Sequence, residues 1–310
     1  MDIIFIGLLL IFCVLLLCIY ALYKYQAYFY LYRIPKYPVT FELAIPFKMH
    51  KIPSYDRKEI TFVSLPYNSN LAEKKKSTTI IYFHGIGSDI VQERNHIIQM
   101  KNKLQSNIIA VEYRGFMNCT DNPTQKKLIT DAKLVLNYIA HSGPFKYSNF
   151  FLFGNSLGAA VVIHLIGLIQ RLNENKKINI CGIIIQNTFT SIESMIDDKY
   201  SYLKILKPFV TEKWGNCEYL TKIERSNKRK KGKIDFSKKR TRESNNAIEL
   251  KALFVHSKKD NVIPRDMMLT LHKIYKGPKT LVSFDKKHCD IYSDPQYFQS
   301  ISNFIQCNKF

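Results

Sequence analysis

The longest apolar run in the chain comes first. Residues 3–23, IIFIGLLLIFCVLLLCIYALY, carry no charge. At about 1.5 Å per residue, a helix of that length spans the roughly 30 Å hydrocarbon core of a bilayer. The run is apolar on every face, unlike an amphipathic surface helix. With Asp2 in front and Tyr20-Ala21-Leu22-Tyr23 behind, it lacks the basic flank and small-residue cleavage site of a signal peptide. It predicts one uncleaved N-terminal transmembrane helix. Beyond it, short β-branched or apolar runs alternate with segments of helical spacing. Strands are expected at residues 78–83, 107–112, 149–153, 180–185, 252–256 and 280–284. Helices are expected over residues 89–104, 124–140 and 156–172, from Pro264 onward, and over 295–306. Strand and helix in alternation imply right-handed crossovers and a mostly parallel sheet with helices on both faces. The expected organisation is an anchor over residues 1–24, a juxtamembrane linker over 25–57, and one α/β domain over 58–310.

Charge changes this picture in one place. The 310 residues carry 46 Lys+Arg against 25 Asp+Glu, a formal net charge of +21. Between Lys222 and Arg242 stand eleven basic and two acidic residues. Residues 222–246 have almost no apolar side chain and are read as a disordered basic insertion within the domain. Nucleic-acid binding through Lys228-Arg229-Lys230-Lys231 is not expected, because aromatic residues for base stacking do not interleave. An anionic lipid surface fits that segment better, each nearby cation contributing about 1 kcal/mol. Lys24, Arg33 and Lys36 follow the anchor, so the positive-inside rule directs the domain to the cytoplasm, at the plasma membrane or endoplasmic reticulum. Tyrosines between Tyr23 and Tyr32 suit an interfacial aromatic belt. The sequon Asn118-Cys119-Thr120 argues for the opposite face. Seven cysteines, an odd number, do not suggest a disulfide framework.

The chemistry gathers at three turns. Gly154-Asn155-Ser156-Leu157-Gly158 lies between a predicted strand and a predicted helix. That is the context a G-x-S-x-G turn needs to hold a serine nucleophile in a strained, exposed position. A serine hydroxyl needs a base, and in such folds acid and base follow it on loops after later strands. The strand ending at His256 leads to Asp260, and the strand ending at Phe284 leads to His288. His288 is therefore the expected base and Asp260 the acid that fixes its tautomer, with Asp285 and Asp290 as alternative acids. Cys289, beside the base, is expected to be a bystander. His84-Gly85-Ile86-Gly87 closes the first strong strand. Its Ile86 N–H, with that of Leu157, is expected to form the oxyanion hole. No P-loop lysine, HExxH or paired CxxC is present, so neither a cofactor nor a metal is expected.

His84-Gly85, Tyr113-Arg114-Gly115-Phe116, Pro123, Asp131-Ala132 and the serine turn together resemble the bud-emergence (Bem) group of α/β hydrolases. The alpha/beta-hydrolase-domain proteins thirteen and seventeen belong to that group. Asn187-Thr188-Phe189-Thr190-Ser191, Trp214 and the Asp260-x-x-x-Pro264 segment extend the likeness over roughly residues 50 to 305, the basic insertion apart. The resemblance implies an α/β-hydrolase fold, a triad of Ser156, Asp260 and His288, and membrane attachment. It also implies depalmitoylase-like cleavage of acyl thioesters in some members. The usual His-Gly-Asn of the oxyanion loop is here His84-Gly85-Ile86. The expected protein is a membrane-anchored serine hydrolase for an acyl ester or thioester, with an acylated protein or a lipid such as a lysophospholipid as substrate. The other reading is a non-catalytic membrane scaffold that works through the basic insertion. A cap over the site, if the fold has one, is expected within residues 200–219.

Overall fold

A computed structural model describes residues 3–26, 31–32, 47–67, 77–117, 119, 121–142, 148–175, 178–231 and 250–309. Eight strands form one sheet in the order β1-β2-β4-β3-β5-β6-β7-β8. They are β1 Lys48–Pro53, β2 Glu59–Leu65, β3 Thr78–Phe83, β4 Asn107–Val111, β5 Asn149–Asn155, β6 Asn179–Gln186, β7 Lys251–Ser257 and β8 Lys279–Phe284. Pairings β1/β2 and β2/β4 are antiparallel and all others are parallel. The fold is that of an α/β hydrolase.

Side chains on successive strand positions point to opposite faces, and here both faces are buried. Ile81, Phe83, Ile109, Val111, Phe150, Leu152, Ile183 and Ile185 pack under helices α3 (Gln125–Ser142), α4 (Leu157–Glu174) and α7 (Arg265–Ile274). Their alternates Ile80, Tyr82, Ile108, Ala110, Phe151, Phe153 and Ile184 pack under α2 (Arg94–Leu104) and α8 (Tyr297–Cys307). Between β6 and β7 the chain makes α5 (Ile192–Lys199), a 3₁₀ segment (Ser201–Phe209) and α6 (Asn216–Lys231). The region suspected of holding a cap is thus the 3₁₀ segment and the start of α6. At the N-terminus, α1 runs from Ile3 to Gln26, with Phe5, Leu9, Phe12, Leu16 and Ile19 all exposed. By contrast α4, apolar enough to cross a membrane by length and composition, is mostly buried under the sheet.

Four expectations need correction. The linker assigned to residues 25–57 contains β1, which extends the sheet antiparallel to β2. Lys48-Met-His-Lys-Ile-Pro53 is an edge strand with mostly exposed side chains, so it carries no hydrophobic alternation to reveal it. Tyr32 of that linker, grouped with the aromatic belt, is buried in the domain core; the tyrosines at 25, 28 and 30 lie outside the described residues or their side chains do. The basic segment assigned to residues 222–246 is helical as far as Lys231. Leu220, Tyr219 and Ile223 pack on the core and carry the helix on, and Lys and Arg are good helix formers. The rest of that segment, and Asn118 and Thr120 of the sequon, lie outside the described residues. The helix expected from residue 89 starts at Arg94, because residues 89–93 form turns closed by the Asp89 side chain on the Gln92 amide.

One buried charge ties the antiparallel edge to the parallel core. The Arg114 guanidinium, just after β4, donates to Asp131 of α3, to Asp56 and to Asp121, and lies 2.5 Å from the Ser54 hydroxyl. Through Ser54 and Asp56 it holds the β1–β2 turn. Arg114 in turn pulls the Asp56 carboxyl down to about 2. Removing a buried ion that leaves its partner uncompensated costs about 3–5 kcal/mol. Arg114→Met, which strands Asp131, is expected to lower the unfolding free energy by about that much, read from urea midpoints. A loss below about 1 kcal/mol would show that the network is dispensable.

Candidate active site

Ser156 separates β5 from α4 with φ 53° and ψ −112°. Such a backbone costs a non-glycine residue about 1–3 kcal/mol and persists only where its surroundings enforce it. The enforcement is visible on both sides. The Ser156 amide donates to the Gln186 carbonyl of β6 at 2.9 Å, and its own carbonyl accepts from the Ala159 amide at 3.1 Å. A Cβ on Gly158 would stand 2.0 Å from the Phe83 carbonyl oxygen, and one on Gly154 would stand 2.3 Å from that of Gly158. The two glycines let α4 descend onto the end of β3 and turn the serine upward.

β7 leads through a turn to Asp260. Its Oδ1 accepts the Val262 and Ile263 amides at 2.8 Å each, and its Oδ2 accepts from His288 Nδ1 at 2.7 Å. Both side chains are buried. Because a carboxylate only accepts, Nδ1 carries the proton and Nε2 is left as the basic nitrogen. The alternative acids do not compete. Asp285 is exposed and paired with Lys259, and Asp290 is also exposed. The structure thus brings Asp260 and His288 together. Among the described residues Ser156 Oγ has no hydrogen-bond partner, although such bonds often form only in the substrate complex. Burial pushes the thiols of Cys119, Cys181 and Cys217 up to about 11, and burial together with Asp290 raises that of Cys289.

Two residues missed by the sequence reading hold the halves in register. Gln186 receives the Ser156 amide and donates to the Asn155 side chain. Asn187, at φ 42°, takes the Ser257 amide on Oδ1 and donates from Nδ2 to Ser257 Oγ and the His288 carbonyl. Asparagine is among the few residues that tolerate that backbone. Its signal was an amide pair closing an otherwise apolar strand.

The loop of His84 to Gly87, where the oxyanion hole was expected, lies against Ser156, with the Gly85 Cβ position 3.5 Å from Ser156 Cβ. Leu157 opens α4, so its amide has no intrahelical acceptor. His84 Nδ1 donates to the Gly85 carbonyl at 2.8 Å. In a trans peptide, that bond fixes the direction of the Ile86 N–H, which points the opposite way. His84 Nε2 donates to Glu112 Oε1 at 2.9 Å, and Glu112 also takes the Tyr113 and Ile90 amides. Burial alone would pull the His84 imidazole down, but Glu112 beside it more than offsets this, and the group stands raised. Glu112 was a third residue missed by the sequence reading. Its signal was a lone carboxylate ending the run Asn107-Ile-Ile-Ala-Val. Among the described residues no three His, Cys, Asp or Glu side chains are grouped to hold a metal. A cavity of about 270 Å³ opens by β1 and β2, between Met49, Arg57 and Met117, and includes none of the site residues.

With that geometry in hand, known proteins can be compared. The profile of the serine hydrolase (FSH1) family matches residues 72–289, which include the serine turn, Asp260 and His288. Protein bem46 of Schizosaccharomyces pombe is 26% identical over 233 residues, spanning 74% of this chain and 68% of bem46. The alpha/beta hydrolase domain-containing protein WAV2 of Arabidopsis thaliana is 30% identical over 129 residues, 42% of this chain and 40% of WAV2. Among solved structures, the Pyrococcus furiosus esterase Pf2001 superposes with a TM-score of 0.60 at 14% identity, covering 90% of this chain and 98% of that one. That likeness is one of fold.

Because the His84 imidazole is raised in the fold, its pair with Glu112 stabilises fully below the ordinary histidine value near 6.5. That contribution fades as pH rises through the folded value. Glu112→Gln is expected to cost about 3 kcal/mol at pH 6, and the difference from the parent should shrink toward pH 9. Urea unfolding across that range checks it. A pH-independent difference would mean that His84 is neutral in the fold.

Proposed function

The chain belongs to the FSH1 family of serine hydrolases, and we propose that it hydrolyses an acyl ester or thioester with Ser156, His288 and Asp260 while α1 holds it in a bilayer. Ser156 Oγ attacks the acyl carbonyl as His288 Nε2 takes its proton, and Asp260 keeps the other proton on Nδ1 and stabilises the imidazolium. Charge developing on the carbonyl oxygen meets the Leu157 and Ile86 amides, each donor being worth about 3 kcal/mol in such sites. The leaving alcohol or thiol takes the proton from His288. Water, activated by the same nitrogen, then frees the acyl group and restores the serine. The Asp260–His288 hydrogen bond beside the strained serine turn carries this reading.

The bilayer enters through α1. Its 24 residues extend about 36 Å, and exposed aliphatic and aromatic side chains run from Phe5 to Tyr20. Such a surface is costly in water, at about 25 cal/mol per Å², and favourable in lipid. A site tethered there meets acyl chains that are themselves embedded, such as those on acylated proteins or lysophospholipids. The basic residues that follow α1 support a cytoplasmic domain. The lysines and arginines that end α6 suit anionic headgroups.

Labelling of membranes with a fluorophosphonate is expected for the parent and not for Ser156→Ala; equal labelling would sink the serine assignment. Asp260→Asn, which inverts the His288 tautomer, should lower kcat by about 10⁴-fold with little change in KM. Alkaline carbonate should leave the full chain in the membrane pellet. Its release into the supernatant would rule out α1 as a spanning helix. Turnover of matched long-chain oxyesters and thioesters then separates the two substrate classes.

A further inference from the structure

We infer that the 3₁₀ segment Ser201–Phe209 is a second membrane contact, which lays the rim of the active site against the same bilayer; this rests on the anchored reading of α1. The segment exposes large apolar side chains to solvent. Tyr202 is 75% exposed, Ile205 81% and Phe209 57%, with Tyr200 just before them at 41%. Contiguous exposed apolar surface of this kind usually marks an interaction site. Its composition suits a lipid interface. Tyrosines sit at headgroup level, aliphatic and phenyl groups reach the acyl boundary, and lysines meet anionic lipid. Lys204, between Tyr202 and Ile205, supplies an exposed cation.

The position of this segment follows from a buried pin. The Tyr32 hydroxyl donates to Glu212 Oε2 at 2.8 Å and accepts from Trp214 Nε1 at 3.2 Å. Trp214 is fully buried and Tyr32 nearly so. The Glu212 carboxylate also takes the Gln125 amide, and Gln125 Oε1 takes that of Trp214. Tyr32 follows the last residue of α1 by six positions. A chain of six residues reaches at most about 20 Å. The membrane-side end of α1 therefore lies within that distance of Tyr32, whose hydroxyl is bonded to Glu212, and Glu212 is three residues from Phe209. A bilayer that holds α1 cannot be far from this apolar segment.

The segment also borders the chemistry. Lys199, at the end of α5, donates to the Asn261 carbonyl, and Asn261 adjoins Asp260. Val262, on the same loop, is 40% exposed and adds to the apolar rim. An acyl chain leaving the lipid at this rim would enter the site without crossing bulk water.

The test uses the full chain in nanodiscs that contain anionic lipid and lipid with brominated acyl chains. Trp214 is the only tryptophan, and it is buried, so an added indole reports above a constant background. Ile205→Trp should emit at shorter wavelength and be quenched, whereas Asn303→Trp, at an exposed position of α8, should not be. If α1 resists carbonate extraction and Ile205→Trp emits as in water without quenching, the second contact is overturned and the anchor stands. If carbonate releases the chain, both fall. A second arm reads function. Tyr202→Ser/Ile205→Ser/Phe209→Ser should raise KM for a bilayer-embedded long-chain ester about tenfold. Turnover of a water-soluble short-chain ester should stay within about twofold. Equal losses on both substrates would assign these side chains to folding of the cap and not to lipid.

Discussion

The descent of α4 onto the end of β3 is the constraint on which the site depends. At Gly158 there is no room for a Cβ between the helix and the Phe83 carbonyl, and at Gly154 there is none between the strand and the helix itself. That approach leaves Ser156 no ordinary backbone conformation, and it places the start of the helix, with its unpaired amides, beside the loop of His84 to Gly87. The strained turn at Ser156 and the unpaired amide of Leu157 are thus one consequence of one packing contact. The stiffness of the eight-stranded sheet, buried on both faces, is what bears the strain.

Around this contact, a few polar side chains fix the turns. Asn187 bridges the ends of β6 and β7 and the base loop, His84 and Glu112 brace the oxyanion loop from behind, and Arg114 fastens the antiparallel edge. Each sits where a strand ends and the chain must turn, so backbone groups without ladder partners are satisfied by side chains. In a dry interior such bonds are directional and strong. They set loop positions that hydrophobic packing alone would leave loose.

Much of this was legible in the sequence because its cause is local. The parallel strands read as apolar runs, since both their faces are covered. Ser156 read from its glycines, and Asp260 and His288 from their places after successive strands. The remainder is tertiary in origin. β1 is a polar edge strand that exists only because β2 offers it a ladder. Tyr32 looks interfacial until Glu212 and Trp214, some 180 positions away, give its hydroxyl partners. The basic stretch looked unable to order itself, yet its first half is carried as a helix by Leu220 and Ile223. Glu112 and Asn187 were visible as polar residues out of place, but their partners come from loops far away in the chain.

The two most apolar helices bear on how the chain is made. α1 and α4 are both long and largely apolar, yet α1 exposes its side chains and α4 hides them beneath β3, β5 and β6. A nascent chain presents both to the machinery that sorts segments into lipid. What separates them is the far end of α4. There Gln170, Arg171, Asn173 and Glu174 interrupt the apolar run, and Asn173 exchanges two hydrogen bonds with the backbone of Ile180 on β6. The polar close of α4 therefore both weakens its claim on the membrane and recruits the next strand.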